Sequence, residues 1–545
     1  MFRRQLLRLL AAAGAPLLIP GGAAMGQRAP SAAAVVDAHC HVFNAADLPI
    51  RGFIRRVVLG DAEDRIVLGR DRVETQAALP WLAAVLVEIL SLPAKTARQE
   101  LDEIERGIPP RPLLDPRNDV QDVARALERA LGEPAPGDLR PMDPAGRDIL
   151  LREMTREAGI DAGLDPREAL DRDFDELARG LLAGRGVISR HVQWAHLLTR
   201  DRRTITARLT DLYGRGRRFA LFTPALVDFS HWLDDEPRSD TESQIRVMER
   251  IQRSRTDAAV HCMVPYDPWR QILDREAGRP QTALDLVTWA IEDMGFVGVK
   301  LYPPMGFRPL GNADVQQDYP RRAEGIENFP AKLDQALREL YAYARERDVP
   351  ILAHAANSNG AAPGYALRAH PANWAPVLDD YPDLKLMLAH FGGFEEADGD
   401  DATNSWEHAF GRLLQGAPGR RVFADLSYFN EVLPGAAHPE HKARLLAFLR
   451  EFAARFDPEV NHLLYGSDWV MLGREANHEH YTGVVADMME AICADDGCMN
   501  RFMWANAVSC LGLRSGSRGR ARLDRYYARH GLNPAWLREI DSLLA

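Results

Sequence analysis

Short apolar runs alternate along most of the chain with segments in which apolar residues recur at helical spacing among charges. The runs are VVDAHCHVF (35–43), RFALFTPALVDF (218–229), AAVHCMVP (258–265), FVGVKLYPP (296–304), VPILAHAA (349–356), LKLMLAHF (384–391), RRVFADLSYF (420–429) and HLLYGSDW (462–469). Each is short, nearly continuous in apolar character and bounded by turn residues, which predicts buried strands. Between them lie stretches such as AKLDQALRELYAYARERD, with the apolar stripe of an amphipathic helix. Strand–helix alternation implies parallel pairing, and eight such units close a (β/α)8 TIM barrel, an α/β fold.

Polar residues interrupt this pattern at corresponding places. His39 and His41 lie two apart at the end of the first run, and alternation along a strand turns both imidazoles to one face and Cys40 to the other. Further runs end in Lys300, His354, His390 and Asp468. In a barrel the carboxyl ends of different strands converge on one pocket, so these six residues are predicted to meet. Neutral imidazoles with a carboxylate suit a divalent metal, zinc first, with manganese, iron and cobalt as other candidates. Any one such histidine fits a hydrogen-bonded core residue equally well; the ordered set is what points to a site. His261, mid-run, reads as structural. Asp228 and Asp267 either line the pocket or cap the following helices.

The order His-x-His, Lys, His, His, Asp resembles that of the amidohydrolase superfamily. The flanking text (DAHCHVF, GVKLYPP, ILAHA, LMLAHFGG, LLYGSDW) is similar to its amidohydrolase-related branch, over residues 35–510 apart from an insertion. That resemblance implies metal ligation by His39, His41, His354 and Asp468. It also implies that His390 polarises the substrate and that Asp468 takes the proton of an activated water. Lys300 would be either a carbamylated bridge between two metals or an unmodified contact to a substrate carboxylate, with one metal favoured. Tyr302 and Arg308, just after Lys300, are candidate substrate contacts, Arg308 through paired hydrogen bonds to a carboxylate. The branch contains metal-dependent hydrolases and also non-oxidative decarboxylases such as aminocarboxymuconate-semialdehyde decarboxylase.

The remaining sequence adds context. Residues 45–215 fit no simple strand–helix unit and read as a mostly helical insertion after the first strand, placed to shape the pocket or to make an oligomer contact. The barrel is expected over 33–512, with a helical extension over 513–545. Residues 1–26 have a basic start (Arg3, Arg4), an apolar stretch and small residues near Ala23, the layout of an export signal. Adjacent arginines followed by Gln5, Leu6 and Leu7 resemble a bacterial twin-arginine signal, which predicts a periplasmic or secreted protein. No other stretch reads as a membrane span. Cys493 and Cys498 are spaced to pair in an oxidising compartment, or to remain buried thiols. A formal net charge of −11 argues against sequence-independent nucleic-acid binding, leaving a small molecule as the expected partner and self-association as an option. Patterns for phosphate loops and serine-hydrolase elbows are absent. The expectation is a metal-dependent hydrolase cleaving an amide, lactone or ester. The rivals are decarboxylation of an unsaturated or aromatic acid and a catalytically inactive periplasmic binding protein.

Overall fold

A parallel barrel forms the frame of the chain in a computed structural model. It describes residues 34–60, 66–132, 143–160, 174–214, 217–254, 258–393, 405–416, 421–436 and 439–544. The predicted export signal, residues 1–26, lies outside the described residues. The strands are β1 (Val35–Cys40), β2 (Phe219–Pro224), β3 (Ala259–Val260), β4 (Met263–Pro265), β5 (Gly298–Leu301), β6 (Ile351–Ala356), β7 (Leu386–Gly392), β8 (Val422–Leu426) and β9 (Leu463–Tyr465). β3 and β4 are two halves of one predicted strand, broken at His261 and Cys262. Pairing is parallel throughout, with β1, β2 and β3 in one sheet and β4 to β9 in the other. An Ala225–Met263 bridge joins the two sheets.

The chain beyond β9 completes the circuit. Backbone N–H groups of Ser467 and Asp468 donate to the carbonyl of His39 at 3.0 and 2.7 Å. Asp37 reinforces this seam by accepting from Ser467 N (3.0 Å) and Ser467 Oγ (2.6 Å). Side chains on nearly every strand position are buried, as expected where helices cover the outer face and side chains fill the interior.

The interval after β1 is helical where described: α1 (Arg72–Leu90), α2 (Ala97–Glu105), α3 (Pro116–Leu131), α4 (Pro144–Glu157), α5 (Phe174–Ala183), α6 (Val187–Leu197) and α7 (Arg202–Tyr213). Asp71 and Asp143 cap α1 and α4, and Thr96 with Gln99 forms a capping box on α2. One expectation is corrected here. Helix α1 is long and apolar enough to cross a membrane by length and composition, with a mean hydropathy of 1.4. Its apolar character is spent on packing: 61% of that stretch is buried, against α3, α4 and α6. Arg202, fully buried at the start of α7, ties the interval to the barrel. It donates to Asp47 (2.9 Å), Glu100 (2.9 Å), Asn44 (3.1 Å) and Ser239 (3.1 Å). Buried ionic groups need such full pairing, since an unmatched charge there costs several kcal/mol.

Helices Arg518–His530 and Ala535–Leu544 form the C-terminal tail. Tyr527 from the first bonds His261 Nε2 at 3.0 Å, while His261 Nδ1 meets Gly295 O at 2.7 Å, so both ring nitrogens serve packing. Asp267 caps helix Pro268–Glu276 through Trp269 N, and Asp228 is clamped by Arg270. Cys493 and Cys498 are disulfide-bonded, with Cα atoms 5.4 Å apart.

Candidate metal centre

His39 and His41 project from the end of β1 with ring centroids 5.2 Å apart, as alternation requires. His390 comes from β7, its ring centroid 5.0 Å from that of His39. Asp468 lies three residues past β9, on the segment that closes the barrel. Its Oδ1 sits 3.2 Å from His41 Nε2 and 3.5 Å from His39 Nε2. Donor atoms of His39, His390 and Asp468 fall within 4.8 Å of one another, close enough to share one ion. His390 (φ 68°) and Asp468 (φ 54°) both hold left-handed backbone, a strain of about 1–3 kcal/mol each that surrounding contacts must offset. For His390 one such contact is visible: its N–H donates to Asp425 Oδ1 at 3.0 Å.

Which ring nitrogens face the centre follows from the partners on the other side. His41 Nδ1 lies 2.8 Å from the carbonyl of Ala225, which can only accept, so Nδ1 carries the proton and Nε2 offers a lone pair. Ser427, just past β8, sets the other two. Its hydroxyl donates to Asp425 Oδ1, so its oxygen accepts from Nδ1 of His39 (3.1 Å) and of His390 (3.0 Å). Asp425 Oδ2 stands 3.1 Å from the same His39 nitrogen. All three Nε2 atoms are thereby left as acceptors, and His41 Nε2 faces a carboxylate oxygen. That arrangement of acceptors fits a cation, a place that the Lys300 ammonium takes at His39 Nε2, 3.0 Å away, and a carboxylate or carbonyl behind each imidazole is the usual support of a metal-binding histidine. Neither Asp425 nor Ser427 was among the residues nominated from sequence. The signal available was positional, since theirs was the one late strand with no nominated residue at its end.

The electrostatics agree. Burial, then the Lys300 charge, pushes His39 well below the ordinary imidazole value, and burial lowers His354 and His390 as well. These rings are neutral at pH 7, the form that ligates. Burial alone would raise the Asp468 carboxyl, but the imidazoles around it, His41 nearest at 3.2 Å, outweigh burial and hold it at about 2. Lys300, buried on β5, has its Nζ 3.0 Å from His39 Nε2, and burial draws it down to about 8.

The other nominated residues divide. His354, on β6, reaches the cluster's edge: its ring centroid is 4.7 Å from that of His390, but its Nε2 meets Ser358 Oγ at 3.2 Å. Its Nδ1 is buried with no hydrogen-bond partner among the described residues. His390 thus stands with His39 and Asp468 in the compact donor set, and His354 lies beside it. The physical reason is the turn at His390, whose left-handed backbone swings the ring over His39. Tyr302 stacks on His354 with centroids 4.8 Å apart and lines the adjoining cavity. Arg308 is not among the residues lining that cavity. Its backbone N–H is bound to Asn312 Oδ1 at 2.8 Å, in the turn after β5.

The sequence profile of a family described as amidohydrolase matches residues 36–513, most of the chain. The protein belongs to the amidohydrolase family. It is therefore an enzyme of the amidohydrolase type, and the centre at its barrel mouth corresponds to the place where such barrels carry out chemistry. A search of curated proteins finds no match. Among solved structures, similarity extends to an amidohydrolase from Burkholderia multivorans with bound zinc, at 15% identity and a TM-score of 0.37, covering 58% of this chain and 91% of that one. A 4-oxalomesaconate hydratase from Rhodopseudomonas palustris is similar at 16% identity and a TM-score of 0.35, covering 60% and 84%. A TIM-barrel protein from Bordetella bronchiseptica follows at 14% and 0.32, covering 60% and 82%.

Two connected spaces serve the amidohydrolase centre. An inner cavity of about 50 Å³ is lined by His390, Asp468, Tyr302, Ser358, Tyr428 and Arg474, among others. An outer vestibule of about 1380 Å³ shares Asn430 and Glu431 with it. Arg55, Arg56, Val187 and Arg190, from the interval after β1, line the vestibule.

Proposed function

We propose that this amidohydrolase hydrolyses an amide, lactone or ester of a small molecule with the aid of one divalent ion, zinc in the first instance. The observation that carries the reading is the set of Nε2 lone pairs on His39, His41 and His390 gathered around Asp468, with each Nδ1 engaged on the far side. His39, His390 and Asp468 would hold the ion, with His41 against Asp468. When bound, a divalent ion supplies Lewis acidity, which polarises a carbonyl and makes water a stronger acid.

The chain's own groups supply the rest. Asp468, ionised throughout the neutral range, accepts a proton at Oδ1 from water entering the inner cavity. Asp425 and Ser427 fix the rings of His39 and His390 so that none has to reorient during the reaction. Lys300 brings positive charge to the buried side of the centre, where it favours a developing oxyanion. Tyr302 stacks on His354 and forms one wall against bulk water.

The proposal includes export to the periplasm or beyond, supported by the Arg3–Arg4 start of the chain and by the Cys493–Cys498 pairing. The activity is tested by incubating zinc-loaded full-length protein with a panel of lactones, esters and anilides in isotopically labelled water. Label entering the product acid supports hydrolysis. Carbon dioxide released from an unsaturated or aromatic acid panel, with no hydrolysis of the first panel, overturns it in favour of a lyase.

A further inference from the structure

We infer that Arg474 is an anion-binding residue of this centre and that the substrate presents a terminal carboxylate to it. Arg474 lies on the segment after Asp468 and lines the same inner cavity as Asp468, His390, Ser358 and Asn359. It is only 6% exposed. Its Nε donates to the Tyr428 hydroxyl at 2.7 Å, and its guanidinium sits 5.3 Å from the centre of that ring. Helix α6 anchors the backbone there, Arg190 Nε donating to the Arg474 carbonyl at 3.1 Å.

The guanidinium is thus held in place, yet its Nη1 is buried with no hydrogen-bond partner among the described residues. Glu475 does not fill the gap. It stands 3.8 Å from Nε, on the side where its Oε1 already accepts the Tyr428 hydroxyl at 2.7 Å. A buried charged donor left open costs far more than an exposed one, so a site that keeps one is arranged for a partner that arrives with the substrate. The planar fork of arginine matches a carboxylate by geometry as well as charge.

Size narrows the class. A cavity of about 50 Å³ takes only a few water-sized groups, so the part of the substrate within it is small. The carboxylate is therefore at an end of the molecule, close to the carbonyl under attack. The remainder extends past Asn430 and Glu431 into the vestibule of about 1380 Å³. This deepens the hydrolase reading and rests on it for the position of the scissile carbonyl, but carboxylate binding at Arg474 is measurable without the metal.

The test titrates acetate, malonate, glutarate and benzoate, each beside its neutral amide, into full-length protein by calorimetry, in zinc-loaded and chelator-stripped forms. The expected result is that at least one carboxylate saturates both forms while its amide does not. Its dissociation constant then rises about 10- to 100-fold in Arg474→Gln, as for loss of a charge-assisted hydrogen bond, and by less in Arg474→Lys, which keeps the charge but not the fork. If Arg474→Gln does not fold, the rise in Arg474→Lys carries the test. Unchanged affinity in the variant that folds overturns the inference, as does absence of carboxylate binding to both wild-type forms, or saturation by inorganic phosphate alone. Failure of the hydrolase reading looks different: the lactones, esters and anilides are not hydrolysed, while carboxylate binding to stripped protein persists.

Discussion

Replacing Ser427 by alanine removes one hydroxyl and no formal charge, and it should weaken the metal centre more than any other change of that size. The Ser427 oxygen accepts from Nδ1 of His39 at 3.1 Å and of His390 at 3.0 Å, and its proton goes to Asp425. In the variant His390 keeps the backbone carbonyl of residue 427 at 3.3 Å, and His39 keeps Asp425 Oδ2 at 3.1 Å. Each ring therefore loses one hydrogen bond that fixes its tautomer and tilt. At about 1 kcal/mol for each net hydrogen bond, the two losses amount to roughly 2 kcal/mol of orienting free energy. That corresponds to a fall of about 10- to 100-fold in zinc affinity, the range found when a supporting partner of a ligand histidine is removed. Competition against a chromophoric chelator measures it directly, with circular dichroism confirming the fold. Asp425→Asn should cost at least as much, because an amide can present N–H to His39 Nδ1 and favour the wrong tautomer. Zinc affinity within about twofold of wild type in Ser427→Ala would refute the reasoning.

Asp468→Asn should lower kcat by about 10²- to 10⁴-fold on whichever panel compound is turned over, because among the described residues the one other carboxylate lining the inner cavity is Glu431, at the vestibule boundary. His390→Ala should lose bound zinc while His354→Ala retains it, read as metal per chain after gel filtration; equal retention in both would contradict the donor set drawn here. Arg202→Met should destabilise the protein by about 3–5 kcal/mol, since it takes from buried Asp47 its paired cation and leaves Glu100 only the longer contact to Arg203 at 3.7 Å. Denaturant unfolding checks this, and a loss below about 1 kcal/mol would show that the interval after β1 is held by apolar packing instead.

The strand ends were legible because parallel strands buried on both faces read as continuous apolar runs, so a His or Lys at the end of one is conspicuous. His39, His41, Lys300, His354 and His390 all stood out in this way. Asp425 did not, because a short polar residue late in VFADLSYF reads as ordinary strand-end chemistry until the backbone of His390 is seen to bond it. Ser427 carries no sequence signal of its own, since its role comes from three partners separated from it by as many as 388 positions or as few as two. The closeness of His390 to His39 and Asp468 goes with a left-handed turn at His390, an uncommon backbone for a residue other than glycine, which no periodicity predicts. Arg308 was nominated by nearness in sequence to Lys300, whereas the turn after β5 carries it off the cavity. Arg474 sits on a loop, where spacing says nothing about direction. The break in the third strand falls at His261 and Cys262, where the run AAVHCMVP carries its one polar residue.

The central claim is that His39, His390 and Asp468, backed by His41, hold one catalytic ion. Elemental analysis of full-length protein, beside a His39→Ala/His41→Ala variant of confirmed fold, tests it most directly. The account predicts about one zinc, manganese, iron or cobalt per chain, lost in the variant. No metal in the wild type after reconstitution with each of these ions, or equal metal in both proteins, would contradict it.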